Sequence, residues 1–319
     1  MAKRGRVVLL HFVAQMPMAG IAWQALQYLV GLERLGFEAW YVENHGTNPY
    51  DPRISSVVTE CDYNVAYLKE TLERHGLAGR WAYWDAINDV YHGMSRERVF
   101  DLLKGADALI NLCGSTRLRD EHMACPVRIM VDTDPVYEQI KYAKADPAAR
   151  AYLDAHTHFF TYGENVGGPG WIVPLCGVPW KPTRPPVVLD LWPVAEGQPD
   201  CFSTIATWEN KGKNIEFEGE SYVGRSMSIF CASSISRSKP GNASRWRCCR
   251  PRPTSKPWSQ EKAGSWSIRA RSRHRSMLTA ISSAARAASL RLPKTSMLDT
   301  RAGGSAIAAS VISPRAGLS

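Results

Sequence analysis

Short apolar runs and helix-period stretches alternate along the first half of the chain, and that alternation restricts the fold more than any single motif does. "RVVLLHF" (6–12) is a continuous apolar run, the pattern of a strand covered on both faces. After the loop "VAQMPMAG", the stretch "IAWQALQYLVGLERLG" (21–36) sets Trp23, Leu26, Leu29, Val30, Leu32 and Leu35 at helical spacing, with Gly36 as its stop. "FEAWYVEN" (37–44) returns as a strand, completing a βαβ unit whose crossover is right-handed in nearly all folds. The pattern then repeats. "SRERVFDLLKG" (95–105) opens on a candidate cap, Ser95, and closes on Gly105, and "ADALINLCG" (106–114) is a buried strand. "PVRIMVDTDP" (126–135) is a strand stopped by proline, 136–154 is helical, and "THFFTYGEN" (157–165) is a further strand. Such an order predicts an α/β fold: a doubly wound parallel sheet with helices on both faces. Between these elements, 45–53 reads as a loop and 60–94 as a helical insertion rich in Trp and Tyr. Six prolines in 173–193 predict an extended connector, and 200–222 reads as the first strand and turn of a second domain.

The chain is 319 residues long, enough for two domains, and its net charge of +9 would ordinarily point to an anionic partner. That charge is unevenly placed. Residues 1–225 hold 22 Lys+Arg against 28 Asp+Glu, while 226–319 hold 17 against 2. The basic part also contains 21 Ser, 14 Ala and no Tyr, a composition that cannot build a core. Arg, Ser, Ala and Pro dominate accidental reading frames of GC-rich DNA. With third bases chosen freely, one constant shifted frame can yield acidic, aromatic, amphipathic text at both ends of this stretch. The sequence therefore predicts a frameshift near 221–224 and a disordered tail over 223–319, against the rival of a selected basic arm that binds nucleic acid with steep salt dependence.

Cys61, Cys113, Cys125, Cys176 and Cys201 stand at wide spacings without C-x-x-C, which favours reduced thiols over a zinc site or a disulfide framework and points to the cytoplasm. The start of the chain imitates a signal peptide, but its apolar run is short and a first strand explains it better. No run reaches the ~18 apolar residues of a membrane span.

Several stretches together, "WQALQYLVGLERLGFEAWYVEN", "NPYDP", "VDTDP", "YGEN", "GVPWKPTRPPVVLDLWP" and "STIATWENKGKNIEFEGE", resemble bacterial glycosyltransferase-like proteins with two Rossmann-like domains (the GT-B type). The likeness covers roughly 6–222. It implies an acceptor-side domain over 1–172, an interdomain linker over 173–199 and the start of a donor-binding domain over 200–222. It further implies a nucleotide-sugar donor, an acceptor hydroxyl and no metal, with activity compromised where the second domain is replaced.

Ligands of open parallel sheets bind beyond the carboxyl ends of the strands, which selects the loops after strands as candidate sites. In "HFVAQMPMAG", His11 is a candidate base, Gln15 a contact to an acceptor hydroxyl, and Gly20 a place where backbone N–H groups approach an anion; a packed histidine and an ordinary turn explain the same residues. In "VDTDP", Asp132 and Asp134 are candidate base, cleft-contact or metal-binding residues, or else turn and helix-cap residues. In "YGENVGGPG", Glu164 and Asn165 are candidate substrate contacts, or parts of a glycine-rich turn. The aromatic set Trp81, Tyr83, Trp84, Tyr91 and His92 would stack on a sugar or pack a core. A third function class, a small-molecule-binding α/β module without transfer activity, fits the same pattern.

Overall fold

The computed structural model describes residues 4–192 and 215–222. Residues 4–192 belong to one unit and 215–222 to another. In chain order the first contains β1 (Arg6–Leu10), α1 (Ala19–Arg34), β2 (Glu38–Glu43), β3 (Tyr50–Asp51), β4 (Ser56–Val57), α2 (Asp62–Glu73), β5 (Trp81–Asp85) and β6 (Val90–Gly93). It continues through α3 (Arg96–Lys104), β7 (Ala108–Leu112), α4 (Asp120–Met123), β8 (Arg128–Asp132), α5 (Tyr137–Ala143), α6 (Pro147–Asp154), β9 (His158–Thr161), β10 (Lys181–Pro182) and a 3-10 turn, Leu189–Leu191.

Eight strands form one sheet in the order β10-β9-β8-β7-β1-β2-β5-β6, parallel throughout except for β6. The six strands β5-β2-β1-β7-β8-β9 reproduce the 3-2-1-4-5-6 order of a Rossmann-like fold. The continuous apolar runs explain the sheet's burial on both sides. Val7 and Leu9 face the layer made by α1 and α2, while Val8 and Leu10 face the layer built around Val99, Leu102 and Leu103 of α3. Each fully buried aliphatic side chain contributes about 1.5–3 kcal/mol, so this strand alone anchors both layers.

The expected cap is present: Ser95 Oγ accepts the Arg98 N–H, and α3 ends at Gly105. Asp146 caps α6 in the same way, accepting the N–H groups of Ala148 and Ala149, and Pro147 fits the first turn because its missing N–H would have had no helical partner.

Residues 60–94 differ from the helical insertion expected of them. Only Asp62–Glu73 is helical; Trp81–Asp85 and Val90–Gly93 are strands that extend the sheet. "WAYWD" alternates Trp81 and Tyr83 against Ala82, placing the two aromatics in one core layer and the alanine in the other, a period of two that no helix satisfies. Gly93 makes the return possible: its φ is +83°, and a Cβ there would lie 2.4 Å from the Trp81 carbonyl oxygen. The expected loop 45–53 contains a short strand, β3, which pairs with β4 just beyond it, and 136–154 is two helices parted at Ala145, whose φ is +61°.

The proline-rich stretch runs along the first unit as far as the described residues reach. Lys181 and Pro182 pair with Phe160 and Thr161, Val188 is buried, and Arg34 pairs with Asp190. The second unit is described only as a hairpin of β11 (Ile215–Phe217) and β12 (Glu220–Tyr222), turned by Glu218 and Gly219 at positive φ, the geometry that matches strand twist. The readings of 200–214 and of a tail over 223–319 lie outside the described residues. Among the described residues, no helix is long and apolar enough to cross a membrane.

Candidate functional site

The strand order reverses at β1, whose neighbours are β2 on one side and β7 on the other. Connections therefore leave the carboxyl ends of β1 and β7 in opposite directions and open a crevice between them. On the β7 side the chain turns through Cys113 and Gly114, both with φ of +57°. A non-glycine residue in the left-handed region costs of order 1 kcal/mol or more, and such strain persists where neighbours enforce it. Here the Tyr152 hydroxyl donates to the Gly114 carbonyl at 2.6 Å, and a Cβ on Gly114 would collide with that hydroxyl. The turn aims Cys113 Sγ at Gln24 Oε1, 3.3 Å away.

Gln24 stands on the wall of a cavity of about 420 Å³. Helix α1 supplies Gly20, Trp23, Gln24, Gln27 and Tyr28; Tyr162, just past β9, and Pro185–Pro186 complete it. The volume lies within the few hundred Å³ typical of small-molecule sites. The Tyr28 and Tyr162 hydroxyls are 2.9 Å apart, and burial pushes both phenols upward in pKa, so both stay protonated. Gln27 Oε1 accepts the Val188 N–H, tying the proline segment to α1, while Gln27 Nε2 is buried with no hydrogen-bond partner. An unmet buried donor costs about 1–3 kcal/mol. The Trp23 ring meets Trp192, with centroids 4.9 Å apart, and His75 edge-on at 5.8 Å. Among the described residues, none that lines the cavity carries a charge.

Of the residues expected from sequence, Gly20 lines this cavity, and a Cβ added there would meet open space. His11 is fully buried at the carboxyl end of β1. Burial drives its pKa down to about 3, against a partial offset from the backbone of Leu112 and Ile21 and the Gln24 side chain, and neither ring nitrogen closes a hydrogen bond of normal geometry. A neutral, enclosed imidazole of this kind is a poor general base. Gln15 is partly buried, and its backbone N–H donates to Glu43 Oε1 at 2.6 Å.

Asp132 is buried, and burial raises its pKa; its oxygens accept the Gln139 side-chain amide at 2.9 Å and the Asp134 N–H at 3.0 Å. Asp134 is exposed, and the bonds to Gln139 and to the Asp134 N–H place Asp132 in the turn into α5. Glu164 is exposed and paired with Arg184, and the Asn165 carbonyl accepts the Gly168 N–H. In the aromatic set, Trp81 and Tyr83 are core, and Trp84 stacks on Tyr91 at 6.2 Å under Arg119 and Arg96. His92 turns toward Cys61 and Asp85, and one ligand atom from each of these three lies within 4.8 Å of the others, a grouping that could hold a metal ion.

Sequence reasoning missed Gln24, Gln27 and Tyr28. Their signal is faint: positions i, i+3 and i+4 of one helix share a face, and two glutamines there interrupt an otherwise apolar stripe. It also missed Glu43, fully buried, which holds the β1 loop by accepting the Ala14 and Gln15 N–H groups and the Tyr41 hydroxyl. Scanned against family models the chain matches none, and a search of curated proteins finds no match.

Proposed function

We propose that the Rossmann-like unit is the acceptor-side domain of a GT-B-like glycosyltransferase and that its cavity takes a neutral, hydroxyl-rich acceptor. The observation that carries this reading is the wall itself. Two amides, two protonated phenols and an indole meet between α1, the end of β9 and the proline segment, with no charge among these lining residues. Sugars combine ring faces that pack on indole with hydroxyls that bond to amides and phenols. Among the described lining residues a diphosphate would find no cation.

In the transfer reaction an acceptor oxygen forms the new bond to the anomeric carbon of a nucleotide-activated sugar. The bond from that carbon to the diphosphate breaks, and the hydroxyl proton passes to a base in the cleft. Residues of this unit bind and orient the acceptor: Trp23 beneath a ring face, Gln24 and Gln27 on its hydroxyls, Tyr28 and Tyr162 closing the far wall. Donor binding belongs to the second domain, whose residues from 223 on we read as out of frame. A one- or two-base insertion or deletion in the DNA around codons 220–226 supports that reading; an uninterrupted frame with ordinary codon usage over 226–319 refutes it.

Calorimetric titration of the full chain with neutral glycosides and, separately, with nucleotide diphosphates tests the cavity. Glycosides should bind more tightly, and Gln24→Leu should weaken them about 3- to 10-fold, the worth of one neutral hydrogen bond. Tighter binding of the nucleotides, or an unaltered variant, overturns the assignment.

A further inference from the structure

At the opposite edge of the sheet from β10, three donors of different chemistry converge. Cys61 immediately precedes α2, Asp85 ends β5, and His92 lies in β6. The hairpin register sets His92 opposite Tyr83, so Asp85, two residues beyond Tyr83, lies on the same face and diagonal to His92. Helix α2 packs over that face through Leu68 and Leu72, which share a core layer with Trp81 and Tyr83, and this brings Cys61 onto the pair.

The distances are those of a coordination sphere. Cys61 Sγ is 3.5 Å from Asp85 Oδ2 and 3.6 Å from His92 Nε2. Zinc bonds of about 2.3 Å to sulfur and 2.0–2.1 Å to nitrogen or oxygen, at a tetrahedral angle, require S···O and S···N separations of about 3.5 Å. Both sulfur edges therefore stand at metal-bound length, and the remaining edge is no longer than 4.8 Å.

The carboxylate is held ready by its own turn. Asp85 Oδ1 accepts the Ile87 and Asn88 N–H groups, and the Asn88 side-chain amide donates to Oδ2 at 2.7 Å. Partners of this kind orient metal ligands and sharpen affinity. Cys61 and Asp85 are 6% and 5% exposed, while His92 is half-buried and leaves one side open to solvent. None of the three lines the cavity on α1.

We propose that Cys61 Sγ, Asp85 Oδ2 and His92 Nε2 form a three-ligand site for a zinc-class divalent cation, with a fourth position open to water. Thiolate, imidazole and carboxylate together select zinc or cobalt over magnesium or calcium. On binding, the Cys61 S–H bond is replaced by an S–metal bond, and one proton leaves to solvent for each metal bound. The ion would tie α2 to the β5–β6 hairpin, at a site independent of the glycoside reading.

Cobalt(II) titration of the full, chelator-stripped chain tests the site. One equivalent should bind with intense tetrahedral visible bands and a sulfur-to-cobalt charge-transfer band, releasing about one proton, and zinc should displace it. Cys61→Ser should abolish the charge-transfer band, and His92→Gln should weaken binding at least about tenfold, with far-ultraviolet circular dichroism confirming that each variant is folded. Should Cys61→Ser fail to fold, the partly exposed His92→Gln carries the test alone. The band should survive a Cys248→Ser/Cys249→Ser double substitution. Absence of a sulfur band at saturating cobalt, its loss with the 248/249 pair, or its survival in Cys61→Ser with full affinity in His92→Gln overturns the proposal.

Discussion

His122 and His156 are each locked as neutral imidazoles by the groups around them. His122 Nδ1 accepts the Arg119 N–H at 3.0 Å, and its Nε2 lies 3.1 Å from Asn44 Oδ1. His156 Nε2 faces the Asn111 side-chain amide at 3.0 Å, and its Nδ1 lies 2.9 Å from the Tyr152 carbonyl. A second proton would break one bond in each set. Burial accordingly lowers both to about 4, and His11 to about 3. A histidine whose folded pKa lies below its unfolded value binds fewer protons when folded. Its stabilising contribution is complete above about pH 6.5 and is lost as pH falls toward the folded values. The fold should lose roughly 1.4 kcal/mol per histidine per pH unit across that window. Urea unfolding at pH 7.5 and 5 should show the loss, and His156→Gln should reduce the slope; equal stability at the two pH values contradicts the assignment. Little of this is legible in sequence, because a histidine at a strand or helix end looks the same whether it faces solvent or an amide. Asp132 shows the converse: its place in a strand end three residues before Pro135 made turn duty readable, while its main partner, Gln139, was visible only once α5 had folded back.

The β5–β6 hairpin is where the sequence was most misleading. Its aromatics suit strand and helix alike, and the segment follows α2 after only a short turn, so helical periodicity extended too far. The decisive signals were local: alternation in "WAYWD", an aspartate whose carboxylate caps the turn through Ile87 and Asn88, and Gly93 at the return. Gly93→Ala should destabilise by at least about 2 kcal/mol, since it adds positive-φ strain to a backbone collision. Gly20→Ala, in the first turn of α1 with open space around it, should be neutral or stabilise by up to about 1 kcal/mol. Thermal midpoints of the two variants check this; equal shifts would mean that the hairpin does not close on Gly93. Ser95 and Gly105 were readable in advance because caps depend on neighbours within one turn.

For the molecule as a whole, alternating apolar runs were enough to read a parallel α/β sheet, because strands covered on both faces leave a contiguous hydrophobic signature. The edges were not readable in the same way. β6 carries mixed residues, and β10 is two residues of a proline-rich segment whose contacts with α1 and β9 depend on a fold already formed. The cavity lies under that segment, which is why its glutamines passed as ordinary helix positions. Hydrogen exchange of the full chain with and without a saturating neutral glycoside tests the central claim most directly. Ligand should slow exchange in the first turns of α1, around Tyr162 and along Val187–Val188, and leave the basic 226–319 region unchanged. Protection confined to 226–319, or no protection along α1, would contradict an acceptor site in the cavity between α1, Tyr162 and the proline segment.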